Sequence, residues 1–73
     1  MYLAVYDISD GKRLKRISGI LQRYGRRVQE SVFECELERG RYEELRDRLK
    51  QETHAEDKLF IYHLPANTGK EKI

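Results

Sequence analysis

The chain opens on five apolar residues, Tyr2-Leu3-Ala4-Val5-Tyr6, and the run breaks at Asp7 before Ile8. A short run that is aromatic or β-branched, and apolar on both faces, predicts a buried strand over residues 2–8. The period then changes. Leu14, Ile17, Leu21 and Tyr24 recur at offsets of three, seven and ten, with Ile20 at the edge, which is one face of a helix over 11–24. Ser9 or Asp10 stands before it as an N-cap, and Gly25 stands where a left-handed residue would end it. Over 26–37 the period is two: Val32, Glu34 and Glu36 alternate with Phe33, Cys35 and Leu37, so the latter three share a buried face. Arg27-Val28-Gln29 forms a separate strand if a tight turn or bulge falls near Glu30-Ser31. Tyr42, Leu45 and Leu49 then mark a second helix over 40–51, with Glu44 and Arg48 spaced for an i,i+4 ion pair. Glu52 to Asp57 is a polar loop. Lys58 to Leu64 is a third apolar strand, closed by Pro65, and the polar tail of residues 66–73 is expected to gain order only from a partner.

Strand, helix, two strands, helix, strand is the order of an α+β ferredoxin-like β-α-β-β-α-β sandwich, an antiparallel sheet with two helices on one face. One domain is expected over residues 1–65, with 66–73 as a tail. The other sheet face needs solvent or a second subunit. A chain of 73 residues is near the lower limit for a self-sufficient core, and with one cysteine, Cys35, it has no intrachain disulfide. Association is the remaining common route to stability, so a homodimer is expected. One cysteine and two histidines exclude a zinc cluster. No apolar run approaches a membrane span, and Met1 enters the first strand without a basic segment before it, so no secretory leader, no membrane partner and a cytoplasmic location are expected.

Charge adds an asymmetry that the net value of +2 conceals. Residues 1–29 carry seven basic and two acidic groups, whereas residues 30–73 carry eight and eleven. Lys12, Arg13, Lys15, Arg16, Arg23, Arg26 and Arg27 follow one another with no acid between them. A basic stretch suits a polyanion. Asp7, a carboxylate at the end of an apolar strand, suits a divalent metal or a turn cap. Together they point to nucleic-acid binding or phosphodiester chemistry.

Two segments carry a resemblance. Tyr6-Asp7-Ile8-Ser9-Asp10, with Arg27-Val28-Gln29-Glu30-Ser31-Val32-Phe33-Glu34 after the first helix, resembles the small CRISPR-associated adaptation protein, the endonuclease-like partner of the CRISPR spacer integrase. Leu59-Phe60-Ile61-Tyr62-His63-Leu64 is similar to its last core strand. The resemblance implies a ferredoxin-like homodimer joined through the open sheet faces. It implies metal-dependent endonuclease activity on RNA or double-stranded DNA with Mg2+ or Mn2+, or a non-catalytic duplex-binding scaffold role in the integrase complex. It places the metal and catalytic aspartate on Asp7 and its adjacent tyrosine on Tyr6, with Ser31 in the second motif. Basic nucleic-acid contacts fall on Arg16 and Arg27, with Lys12 and Arg13 beside them, and the aromatic on Phe33. Many members carry arginine where this chain has Leu14.

One carboxylate makes a poor magnesium site, whereas two Asp7 side chains across a two-fold axis make a plausible one. An RNA-recognition module of the same topology is the outside alternative, with Tyr2, Tyr6 and Phe33 stacking bases. No segment carries the Gly-and-aromatic signature of that module.

Overall fold

A computed structural model describes residues 1–64 and 70–73, Lys70 by its backbone alone. Pro65, expected to close the last core strand, lies outside the described residues. The elements are β1 (Tyr2–Asp7), α1 (Gly11–Gln22), β2 (Arg26–Gln29), β3 (Val32–Cys35), α2 (Arg39–Glu52), β4 (Lys58–His63) and β5 (Lys70–Lys72). The sheet runs β2-β3-β1-β4-β5 with every neighbouring pair antiparallel. The first six elements form the expected ferredoxin-like sandwich, with both helices on one face.

Register decides which side chains meet the helices. Tyr2 and Ala4 of β1 stand opposite Cys35 and Phe33 of β3, while Ala4 and Tyr6 stand opposite Ile61 and Leu59 of β4. These residues face Ile17 and Leu21 of α1 and Leu45 and Leu49 of α2, and all are buried. Each fully buried Leu, Ile or Phe contributes roughly 1.5–3 kcal/mol over leaving it exposed. The alternate positions, Leu3, Val5, Val32 and Phe60, form an apolar strip on the opposite face that the chain covers only in part.

Asp10 is the N-cap of α1, its Oδ1 accepting the Arg13 N–H at 2.9 Å. Leu14, expected on the buried face, is 37% exposed and lies at the edge of a cleft beside Tyr6. Gly25 differs from expectation in its reason. No left-handed backbone is needed there; a Cβ would lie 2.6 Å from Cys35 Sγ and closer still to the Glu34 carbonyl. The residue is small because the chain leaving α1 passes directly against β3. The β2–β3 hairpin turns at Glu30-Ser31, and its register shifts between Arg27 and Gln29, so both a tight turn and a bulge occur without Gly or Pro.

Residues 66–69 of the expected tail lie outside the described residues. At its described end, Lys70–Lys72 adds a fifth strand to β4 of its own chain, and Ile73 N–H donates to Leu59 O at 2.8 Å. Tyr42 Oη donates to Glu71 Oε1 at 2.5 Å, and the Lys50 ammonium lies 3.7 Å from the same carboxylate. Burial, then that hydrogen bond, pushes the Tyr42 phenol well above its ordinary range. Tyr42 stacks on Tyr2 at 4.2 Å, and Tyr2 on His63 at 4.3 Å, so His63 is a packing residue. The expected Glu44–Arg48 pair does not form: Glu44 takes Arg41 at 2.9 Å, and Arg48 has no ion pair among the described residues. Among the described residues no helix is long and apolar enough to cross a membrane.

Candidate functional site

The candidate residues do not gather at one point, and strand periodicity is the first cause. Tyr6 and Asp7 are adjacent, so their side chains leave β1 on opposite faces. Asp7 is exposed on the open face, with Lys58 of β4 as its cross-strand partner. It therefore stands at the exposed end of the apolar strip rather than in an apolar setting. Among the described residues no group of three or more His, Cys, Asp or Glu could hold a metal ion. One carboxylate beside a lysine does not fit a divalent cation, which takes six or more oxygen ligands. A single chain is therefore an incomplete metal site.

Tyr6 turns inward and is 4% exposed. It lines a cleft between α1 and the β2–β3 hairpin with Leu14, Lys15, Ser18, Arg27 and Ser31, so three of the expected residues do converge there. The Tyr6 backbone N–H donates to Ser31 O at 3.1 Å, which ties the strand to the hairpin turn. Tyr6 Oη is buried without a hydrogen-bond partner among the described residues. Burial raises the phenol pKa, and the nearby Arg27 guanidinium partly offsets this, so Tyr6 is a neutral donor at physiological pH. Arg27 is oriented by three groups. Its Nη1 donates to Glu30 O at 2.7 Å, its Nη2 to Ser18 Oγ at 3.3 Å, and its guanidinium lies 5.0 Å from the Phe33 ring centroid. The rest of the fork faces solvent, a fit for a phosphate oxygen.

Arg13 and Arg16 go elsewhere. Arg13 Nε and Nη2 donate to Asp57 Oδ2 and Oδ1 at 2.8 and 2.9 Å, and Nη2 also reaches Glu56 at 3.3 Å. Its side chain is only 11% exposed, so its hydrogen-bonding capacity is spent on tying α1 to the loop before β4. Arg16 points to α2 and donates to Glu52 Oε1 at 3.2 Å. Lys12 is exposed on the first turn of α1. Sequence reasoning missed Asp57 altogether: its loop carries no local signal for a buried carboxylate.

The aromatics bear on the RNA-recognition alternative. Tyr2, Tyr6 and Phe33 are 5%, 4% and 0% exposed and lie beneath the helices, so they present no stacking platform for bases.

Residues 1–72 match the family model described as CRISPR associated protein Cas2. The chain is 42% identical over 69 residues to CRISPR-associated endoribonuclease Cas2 3 of Synechocystis sp., covering 93% of this chain and 75% of that protein. It is 41% identical over 63 residues to CRISPR-associated endonuclease Cas2 2 of Thermus thermophilus, covering 85% and 70%. Among solved structures, a hypothetical protein TT1823 from Thermus thermophilus superposes with TM-score 0.84 at 39% identity, covering 89% of this chain and 80% of that one. Streptococcus pyogenes Cas2 superposes with TM-score 0.78 at 32% identity, covering 86% and 83%. With its fold and nearly its whole length matched, the chain belongs to the CRISPR associated protein Cas2 family and is a CRISPR adaptation protein.

Proposed function

We propose that the protein acts as a homodimer that binds nucleic acid, with the CRISPR spacer integrase as its protein partner. In this reading the dimer cleaves phosphodiester bonds when Mg2+ or Mn2+ is held between two Asp7 carboxylates. The observation that carries the reading is the position of Asp7 on the open face, at the end of the strip of Leu3, Val5, Val32 and Phe60. Covering that strip with a second copy removes apolar area from water and brings a second Asp7 to the same face. A divalent cation bound there supplies charge neutralisation and a more acidic water. The chain's own residues do the remaining work. Arg27, set by Phe33, Ser18 and Glu30, takes a backbone phosphate; Tyr6 holds a neutral, buried O–H beneath the same cleft, beside Ser31, exposed to substrate only if the cleft opens; Lys12 and Arg16 add positive potential along α1. Arg13 acts by positioning α1 rather than by contact.

The test is cleavage of RNA and duplex DNA by wild type and by Asp7→Asn, with Mg2+, with Mn2+ and with chelator. The reading expects cleavage lost in the variant and in chelator, with binding retained. Cleavage that survives either condition refutes the metal-centred site. The scaffold reading is favoured by a specific observation, the lone carboxylate of each chain, and it expects duplex binding without cleavage in wild type. Sedimentation over a concentration series tests the dimer, and a folded monomer at micromolar concentration rejects it.

A further inference from the structure

The groove between α1 and α2 holds a second cationic site that the Asp7 and Tyr6 regions do not use. Arg16, Gly19, Ile20 and Arg23 lie along one stripe of α1, and Arg48, Gln51 and Glu52 along one stripe of α2, and together they line an open cleft of about 490 Å3. Three arginines and one carboxylate therefore line it. Glu52 is already committed to Arg16. Neither Arg23 nor Arg48 has an ion pair among the described residues, and the carboxylate spaced to take Arg48 is held by Arg41. Like charges converging on one concavity repel one another, and a bound anion relieves that repulsion.

Gly19 is the independent observation. It sits in the middle of α1, where glycine is costly relative to alanine. Packing does not require it, since a Cβ there meets nothing within 4 Å. No contact in the fold offsets that cost. Here its effect is to leave the floor of the groove bare between Arg16 and Arg23, with Ile20 as an apolar margin.

We propose that this groove is a binding site for a doubly charged phosphate group. Two unpaired guanidiniums match a phosphomonoester dianion in charge, and their planar forks match its oxygens in geometry. The Gln51 amide adds a further donor. Such a group has two sources, the terminal phosphate of a nucleic-acid strand or that of a free nucleotide. The proposal shares Arg16 with the nucleic-acid reading above but otherwise stands on residues which that reading does not use.

The experiment follows the arginine Nε–Hε resonances of the intact protein during titration with inorganic pyrophosphate. Arg16, Arg23 and Arg48 are expected to shift saturably, while the exposed Arg39 and Arg41 on the first turn of α2 stay still. The double variant Arg23→Gln, Arg48→Gln should weaken pyrophosphate by about tenfold or more, as expected for losing two charge-assisted forks. Gly19→Leu should block the groove without removing a charge. Gly19→Ala is the folding control: it should raise the melting temperature, so weaker binding there cannot be blamed on unfolding. A short duplex bearing 5′-phosphates, compared with the same duplex bearing 5′-hydroxyls, and AMP compared with adenosine, separate the two sources. Uniform shifts over all surface arginines, or unchanged affinity in both Gly19→Leu and the double variant, overturn the proposal. Failure of the nucleic-acid reading looks different. It appears as absent binding of the 5′-hydroxyl duplex, which Arg27→Ala should weaken and the groove variants should spare.

Discussion

Arg13 grips Asp57 with both arms of its fork, at 2.8 and 2.9 Å, across 44 residues of sequence. The pair fixes the start of α1 against the loop entering β4, and the same carboxylate accepts the His54 N–H at 2.9 Å. The Arg13 hydrogen bonds first, and the His54 hydrogen bond second, hold the Asp57 carboxyl below its ordinary 3.8. A depressed folded value means that the clamp contributes stability in full above the unfolded value, and that this is lost as pH falls through the folded one. The melting temperature should therefore hold down to about pH 4, the ordinary carboxylate range, and fall below it. Asp57→Asn should lower it at neutral pH and flatten the acid limb in a pH series. An acid limb unchanged in the variant would move the effect to other carboxylates, Asp10 first.

Gly25→Ala should destabilise the fold by about 1–3 kcal/mol, the usual cost of forcing atoms into a packed site. The new methyl would meet Cys35 Sγ at 2.6 Å and the Glu34 carbonyl, and both belong to β3 in the sheet interior. Denaturant melts should show a lower midpoint. Gly11→Ala, where a Cβ meets nothing within 4 Å, is the matched control and should not be destabilised.

Cys35 should resist modification. It is fully buried, and burial pushes its thiol up to about 11, so little thiolate exists at neutral pH. Thiol reagents at pH 8 should label it only as fast as the protein unfolds, with the rate rising in denaturant. Rapid labelling of the native protein would contradict this burial.

Duplex affinity should fall steeply with salt, at about −0.9 in log K per log salt for each phosphate neutralised. Replacing Arg16 and Arg27 with Ala should flatten that slope and weaken all sequences alike, as read by titrations at several salt concentrations. The wild-type slope persisting in the double variant would make the basic stretch an ordinary solvated face. Arg13→Ala should act differently, lowering melting temperature more than slope, because its guanidinium is already occupied.

Legibility in the sequence tracked the range of the cause. Period alone located β1, α1 and the Phe33/Cys35 face, because each repeats within a few residues. Tyr6 and Asp7 read as neighbours in one motif, although the same period of two sends them to opposite faces. Gly25 reads as a local helix cap, whereas its actual constraint is the approach of β3, ten residues on in the chain. The Arg13 clamp left no trace, since nothing near Asp57 marks it. The strand at the end of the tail has no pattern of its own because an edge strand needs no apolar face: Glu71 is fixed by Tyr42 and Lys50 from α2.

The two rims of the sheet bear on how the molecule can aggregate. β2 presents Arg26 and Arg27 on one side, and β5 carries the sequence Lys-Glu-Lys on the other. A rim lined with charge discourages another chain from adding to the ladder, so lateral growth into ribbons or fibrils is opposed at both ends. The helices close one of the two broad surfaces. In the proposed dimer, stacking on the remaining surface joins two copies and leaves no such surface for a third.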